Sequence, residues 1–183
     1  MLTGKEIDAF NTEQFWQYVA VHLKQHNYET ILVGGAVVAI YSDEAYTSGD
    51  LDLIVTNKLT LDLEPVMAEI DFYRLPERRY FGHRESKKYL IEFPPGPVEI
   101  AESTNIKPST RKIGQTVIKL LSPTDCIIDR LMSYIYFNGH REDIENAVLV
   151  ARKQKYNKAK VKAACFENHR EDVYNEFIET LKF

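Results

Sequence analysis

At 183 residues, with 44% apolar and 27% charged positions and a net charge of −4, the chain has room for one domain with at most a modest appendage. The charge gives no global pull toward nucleic acid, no apolar run nears the roughly 20 residues needed to cross a bilayer, and Met1 to Glu6 hold no signal-peptide core. Cys126 and Cys165 form no C-x-x-C pair, so the expectation is a soluble, reduced, cytoplasmic protein.

Asn11 to Asn27 reads as a helix, with Phe15, Trp16, Val19 and Leu23 in one apolar stripe and Asn11 or Thr12 capping its start. A strand over Thr30 to Val33 runs straight into Gly34-Gly35. A short helix over Ala36 to Tyr41 follows, then a turn, then a second strand carrying Asp50 and Asp52. Side chains two apart on a strand share a face, so the two carboxylates project together while Leu51, Leu53 and Val55 face the core. Paired carboxylates repel unless a cation sits between them, and oxygen-rich pairs of this kind suit Mg²⁺ together with substrate phosphates. The Gly-Gly turn offers free backbone N–H groups, a natural seat for phosphate.

Further along, Glu64 to Ile70 reads as a helix with Pro65 in its first turn, and Phe72 to Leu75 as a strand. Arg78 to Phe81 and Lys88 to Phe93 read as a β pair. Pro94-Pro95-Gly96-Pro97 forces a tight connection, after which Val98 to Ala101 is expected to re-enter the sheet with Glu99 on one face. Thr116 to Leu121 is another strand, and Ser122-Pro123-Thr124-Asp125 is a helix start. From there the pattern stays helical, with stripes at Ile127, Ile128, Leu131 and Ile135, then Ile144, Ala147, Val148 and Ala151, then Tyr174, Phe177, Ile178 and Leu181. The fold class is therefore α+β: a mixed front over residues 1–121 and a helical region over 122–183 packed on it. An apolar stripe left over at the C-terminal helix would favour a homodimer.

The ordered set of strand, Gly34-Gly35, helix, Ser48, Asp50-x-Asp52 and later strand glutamate resembles the nucleotidyltransferase superfamily, which includes DNA polymerase beta. The resemblance implies a nucleotidyltransferase-like sheet and a metal site of Asp50, Asp52 and Glu99, with Glu92 and Glu102 as rivals for the third carboxylate, each read as solvated. It also implies a phosphate seat at Gly34, Gly35 and Ser48. Two positions depart from the pattern: Gly35 stands where serine is frequent, and Tyr46 where many relatives carry arginine. Residues 121–147 resemble the back half of nucleotidyltransferase toxins from abortive-infection and toxin–antitoxin systems. On that alignment Arg130 replaces a lysine and Asp143 matches an aspartate, both toward the nucleotide, while Glu142 and Asn146 depart from the family residues.

The expectation that follows is transfer of a nucleoside monophosphate from an NTP, ATP among them, to an acceptor hydroxyl. It would use two Mg²⁺ ions, or Mn²⁺, held by Asp50, Asp52 and Glu99. The acceptor stays open between tRNA, a protein hydroxyl, an antibiotic or another small alcohol. The alternative is a binding or regulatory module on the same fold with catalysis lost. The acid-free run Arg152, Lys153, Lys155, Lys158, Lys160, Lys162 reads as a solvated helix face before a polynucleotide contact. A second basic cluster, Arg74, Arg78, Arg79, Arg84, Lys87 and Lys88, reads as surface or triphosphate support. The five histidines are read as having no ligand spacing, and zinc is not indicated.

Overall fold

The computed structural model describes residues 2–60, 62–76, 79–101, 103–104, 106–137 and 139–183. Glu77, Arg78 and Glu102 lie outside the described residues. The first helix, α1 (Gly4–Ala9), is opened by a reciprocal capping box between Thr3 and Glu6. A second box, between Asn11 and Gln14, opens α2 (Thr12–Gln25). Phe15, Trp16, Val19 and Leu23 of α2 are fully buried, each contributing about 1.5–3 kcal/mol through apolar burial. α2 packs on β1 (Thr30–Val33) and on α3 (Gly35–Tyr41). Ala36 to Tyr41 are all buried, as expected of a helix that is apolar all round.

The sheet continues with β2 (Asp50–Val55). After α4 (Glu64–Ala68) come β3 (Phe72–Arg74), β4 (Tyr80–His83) and β5 (Leu90–Glu92), then the hairpin β6 (Ser109–Ile113) and β7 (Thr116–Leu120). Among the described residues these make one seven-stranded mixed sheet in the order β3-β4-β5-β2-β1-β7-β6. The central strand β2 runs antiparallel to β1 and parallel to β5. The α+β class expected from the sequence is what the chain forms.

Three elements differ from the sequence reading; α1, ahead of the first expected helix, is one. β6 was not expected, because Ser-Thr-Arg-Lys-Ile is a polar edge strand with no buried alternation; Gly114, at φ 58°, turns the chain back into β7. The expected strand over Val98 to Ala101 does not form. Ile100 only bridges Ser103 across a tight turn, and Ala101 takes a positive φ of 51°. The cause is local: Pro94, Pro95 and Pro97 bring no N–H to a ladder, so β5 stops at Glu92 and the chain leaves the sheet.

The helical part comprises α5 (Pro123–Tyr136), α6 (Arg141–Lys153), α7 (Lys158–Glu167) and α8 (Glu171–Lys182). Ser122 caps α5, its hydroxyl accepting from the Asp125 N–H and lying 2.6 Å from Oδ2. α6 and α5 pack against α3, and Gln154 and the Leu121 carbonyl bond to the main chain and hydroxyl of Tyr41. The helix that Gly34-Gly35 opens therefore joins the sheet to the helical part.

Candidate active site

Three pieces of chain meet where β1 ends. Val33 pairs with Asp52 across the antiparallel ladder, and Glu92 pairs with Asp52 across the parallel one. Paired residues on neighbouring strands share a face, so Asp52 and Glu92 stand side by side. Asp50, two residues earlier on β2, joins them on that face. Leu51 and Leu53 are fully buried on the other, as the alternation predicts.

Gly34 follows Val33 with φ 72° and ψ −155°, a region glycine enters without cost. A Cβ there would lie 2.2 Å from Asp52 Oδ2, so the missing side chain is what lets the carboxylate rest against the turn. No side chain caps α3, which leaves its first N–H groups to other partners. At Gly35 a Cβ would meet Ser48 Oγ at 3.1 Å and both Cε1 and the hydroxyl of Tyr46 at 3.3 Å. The two departures noted in the sequence are thus one feature: Tyr46 fills the space that a serine at 35 would need. Ser48 is buried, and its hydroxyl donates to the Asp50 carbonyl at 3.0 Å and lies 3.1 Å from Oδ1, so it orients that carboxylate.

The electrostatics are those of crowded acids. Burial, then Asp50 and Glu92, push the Asp52 carboxyl up to about 7, against the pull of Arg130 and Arg79. Burial first, then Glu142, also raises the Tyr46 phenol, so it stands here as a neutral hydroxyl. Arg79 Nε donates to Glu92 Oε1 at 2.6 Å. Glu92 Oε2 is buried, and no described group bonds to it. A buried carboxylate oxygen without a donor, beside two further carboxylates, fits a hard cation such as Mg²⁺ or Mn²⁺. The three side chains stand as neighbours without gathering to within 4.8 Å, the contact distance reached elsewhere by His22, His26 and Glu69.

The expected residues are distributed as follows. Gly34, Gly35, Ser48, Asp50 and Asp52 come together. Glu99 does not join them: it is exposed, on chain that has run past the Val55 end of β2, where Gly96 packs against Ile54 and Val55. Glu92, read from sequence as solvated, is only 9% exposed and occupies the place beside Asp52. Arg130 and Asp143 meet as an ion pair at 3.3 Å, with Asp129 on the other side of the guanidinium at 2.7 Å and Ser133 donating to Asp143. Burial opposes the Arg130 charge, but Asp129 and the other acids outweigh it and raise its pKa. The sequence reading offered Arg79 only within a basic cluster read as surface or triphosphate support, and did not place the Tyr46 hydroxyl at the site. In the C-terminal basic run, Lys160 binds buried Asp125, Lys153 binds Asp43 and Arg152 donates to the Thr180 carbonyl.

A cavity of about 190 Å³ opens beside Glu92, lined by Leu63, Arg74, Arg79, Phe81, Phe93 and Pro94. A larger one, about 850 Å³, lies at the far end of β2 between Val55–Leu59 and the proline turn, and no acid lines it. Of the site residues, Glu92 and Arg79 line the smaller opening, and Asp50 and Asp52 line neither.

The fold has counterparts among solved structures. An antigenic nucleotidyltransferase-like protein from Paracoccidioides brasiliensis superposes with a TM-score of 0.60 at 17% identity, covering 91% of each chain. The antibiotic-resistance factor ANT(2'')-Ia, known from a solution structure showing substrate-regulated conformation dynamics, superposes with a TM-score of 0.59 at 14% identity, over 94% of this chain and 97% of its own. The fold is nucleotidyltransferase-like. No protein-family model matches the sequence, nor does any curated protein. Among the described residues, no helix is long and apolar enough to cross a membrane.

Proposed function

We propose that the chain is a metal-dependent nucleotidyltransferase whose carboxylate set is Asp50, Asp52 and Glu92. The observation that carries this reading is the pairing of Glu92 with Asp52 together with the buried, unpartnered Oε2 of Glu92. Asp50, Asp52 and Glu92 would hold Mg²⁺, which when bound neutralises triphosphate charge and acidifies an acceptor hydroxyl. The chain's own groups do the rest. Backbone N–H groups at Gly34-Gly35 and the Tyr46 hydroxyl receive phosphate oxygens in place of the absent serine. Ser48 fixes the rotamer of Asp50. Arg79 turns Glu92 toward Asp52 and, being 64% exposed, can also reach a phosphate at the cavity mouth. Burial and the neighbouring acids raise the Asp52 carboxyl to about 7, so the ionised form that would take the proton of an attacking hydroxyl is the one a bound cation would favour.

The acceptor we infer is a neutral or cationic small alcohol. Glu142, Asp143 and Asp129 rim the Arg130 side of the site, and three members of the C-terminal basic run are engaged inside the molecule, which leaves a polyanion little to hold. The resistance factor that shares the fold is consistent with a small acceptor. The test is a melting series with ATP, CTP, GTP and UTP, with and without Mg²⁺, followed by pyrophosphate release in the presence of acceptor panels. A Mg²⁺-dependent rise in melting temperature that Asp52→Ala abolishes supports the site. Binding without pyrophosphate release from any acceptor class points to the catalytically silent module.

A further inference from the structure

On the opposite side of the first strand from Gly34, α2 and α4 end against each other. His22 lies in the last turn of α2, and His26 is its C-terminal cap residue, four positions on. Glu69 is the C-terminal cap residue of α4. One ring nitrogen of each histidine and one Glu69 oxygen lie within 4.8 Å of one another. His26 Nε2 is 3.0 Å from Glu69 Oε2, and the two imidazole centroids are 4.7 Å apart. The sequence reading of the histidines as lacking ligand spacing is corrected here: residues i and i+4 of a helix share one face, and the structure brings a carboxylate to that face from a separate segment.

We infer that His22, His26 and Glu69 form a second cation site, suited to a transition ion of the Zn²⁺ class, which clips α4 to α2. The two imidazole donors favour Zn²⁺ or Ni²⁺ over Mg²⁺, and two histidines, one carboxylate and a water is a known zinc arrangement. His22 adds a supporting feature. Its Nε2 is 2.7 Å from the Val66 carbonyl; a neutral ring must therefore donate from Nε2, and Nδ1 keeps the lone pair. Metal-ligating histidines are held in this way, through a carbonyl that takes the second ring N–H. That carbonyl belongs to α4, so the hydrogen bond joins the same two elements the ion would join. The C-terminal end of α2 also carries partial negative charge that favours a cation.

The fit requires a small closure. Bonds of about 2.0–2.1 Å in a tetrahedron put ligand atoms roughly 3.3 Å apart, so no pair must close by more than about 1.5 Å. Glu69 is exposed and both imidazoles are half-buried, so side-chain rotation can supply that movement. The site is independent of the carboxylates on β2 and β5 and stands or falls separately from the transferase reading.

Calorimetric titration of Zn²⁺ into the full chain, in millimolar Mg²⁺ to occupy hard-oxygen sites, tests it, with Co²⁺ absorption as a second readout. The expected result is one equivalent bound at micromolar free ion and a melting temperature that rises with Zn²⁺. His26→Gln and Glu69→Gln should each weaken binding at least about 10-fold, and Asp50→Asn/Asp52→Asn should leave it unchanged. Since Glu69 is exposed, its variant keeps the fold even where a histidine change does not. Zn²⁺ uptake that ignores both His26→Gln and Glu69→Gln, uptake that disappears only with the aspartates, or no uptake by the parent protein would each overturn the site.

Discussion

Two arginine–carboxylate pairs pull on Asp52 from different sides of the molecule, and their surroundings differ. On the helical side Arg130, 18% exposed, is fixed between Asp129 and Asp143, and Ser133 occupies the other oxygen of Asp143. On the sheet side Arg79 is 64% exposed, lies over the Tyr80 ring and bonds Glu92 Oε1, leaving Oε2 buried and unbonded among the described residues. The helical-side network engages all three nitrogens of Arg130 and holds α5 to α6. An open one faces Gly34 and two further acids. The contrast separates a carboxylate that maintains structure from one free to meet a ligand, and it locates the proposed chemistry on β2 and β5.

The largest effect should therefore fall on the sheet side. Asp50→Ala/Asp52→Ala is expected to lower pyrophosphate release by at least about 10³-fold, since loss of a catalytic cation removes several kcal/mol of charge stabilisation. The sharper comparison is Glu92→Gln against Glu99→Gln. The first should cost about 10²–10³-fold in turnover with an unchanged melting profile, and the second should stay within about twofold. Equal losses from both, read in single-turnover assays, would return the third carboxylate to the exposed loop.

Stability should reverse the ranking. Removing one member of a buried ion pair leaves the others uncompensated, so Arg130→Met is expected to cost about 3 kcal/mol in urea unfolding. Arg79→Met, at an exposed head group, should leave the unfolding midpoint nearly unchanged. A larger loss at Arg79 would mean that the sheet-side pair is structural as well.

Acidity offers a third test, with a definite sign. The folded-state carboxyl of Asp52 is raised from 3.8 to about 7, first by burial and then by Asp50 and Glu92. The folded state then binds this proton more tightly than the unfolded chain does. Its stabilising contribution is complete below about pH 4 and is lost as pH rises through about 7. Asp52→Asn should flatten that decline and make the cation-free protein more stable by on the order of 2 kcal/mol at pH 8. Saturating Mg²⁺ should erase the advantage by giving the ionised Asp52 a partner. Melts at pH 5 and pH 8, with chelator and with Mg²⁺, decide it; an identical pH slope in the parent and the variant would exclude a crowded Asp52.

What the sequence made legible follows from how local each feature is. Gly34, Gly35, Ser48, Asp50 and Asp52 lie in one continuous stretch, where strand alternation and a glycine turn place them without knowledge of the sheet. The third carboxylate depends on which strand lies beside β2. The order β5-β2-β1 is not chain order, and Glu92 differs from Glu99 only by preceding the prolines that end the ladder. Glu69 is likewise remote in sequence from His22 and His26, although their own four-residue spacing was there to read. α1 went unread although its Thr3–Glu6 capping spacing was in the sequence, and β6 offered a polar pattern that edge strands share with loops.

The smallest effect we expect tests whether Gly35 and Tyr46 are a single adaptation. A serine Cβ at 35 would press on the Tyr46 ring and hydroxyl at 3.3 Å and on Ser48 Oγ at 3.1 Å, distances tighter than ordinary contact but relievable by small shifts. Gly35→Ser alone should therefore weaken nucleotide binding severalfold by displacing Tyr46. Tyr46→Ala alone should weaken it by a similar factor through the lost hydroxyl donor, worth about 1 kcal/mol. Together they should restore a serine hydroxyl to an unobstructed position, so the double variant should bind better than the sum of the single losses predicts, by about 1 kcal/mol of coupling. Additive losses would mean that the tyrosine and the glycine act separately, and that the phosphate seat does not exchange one hydroxyl for the other.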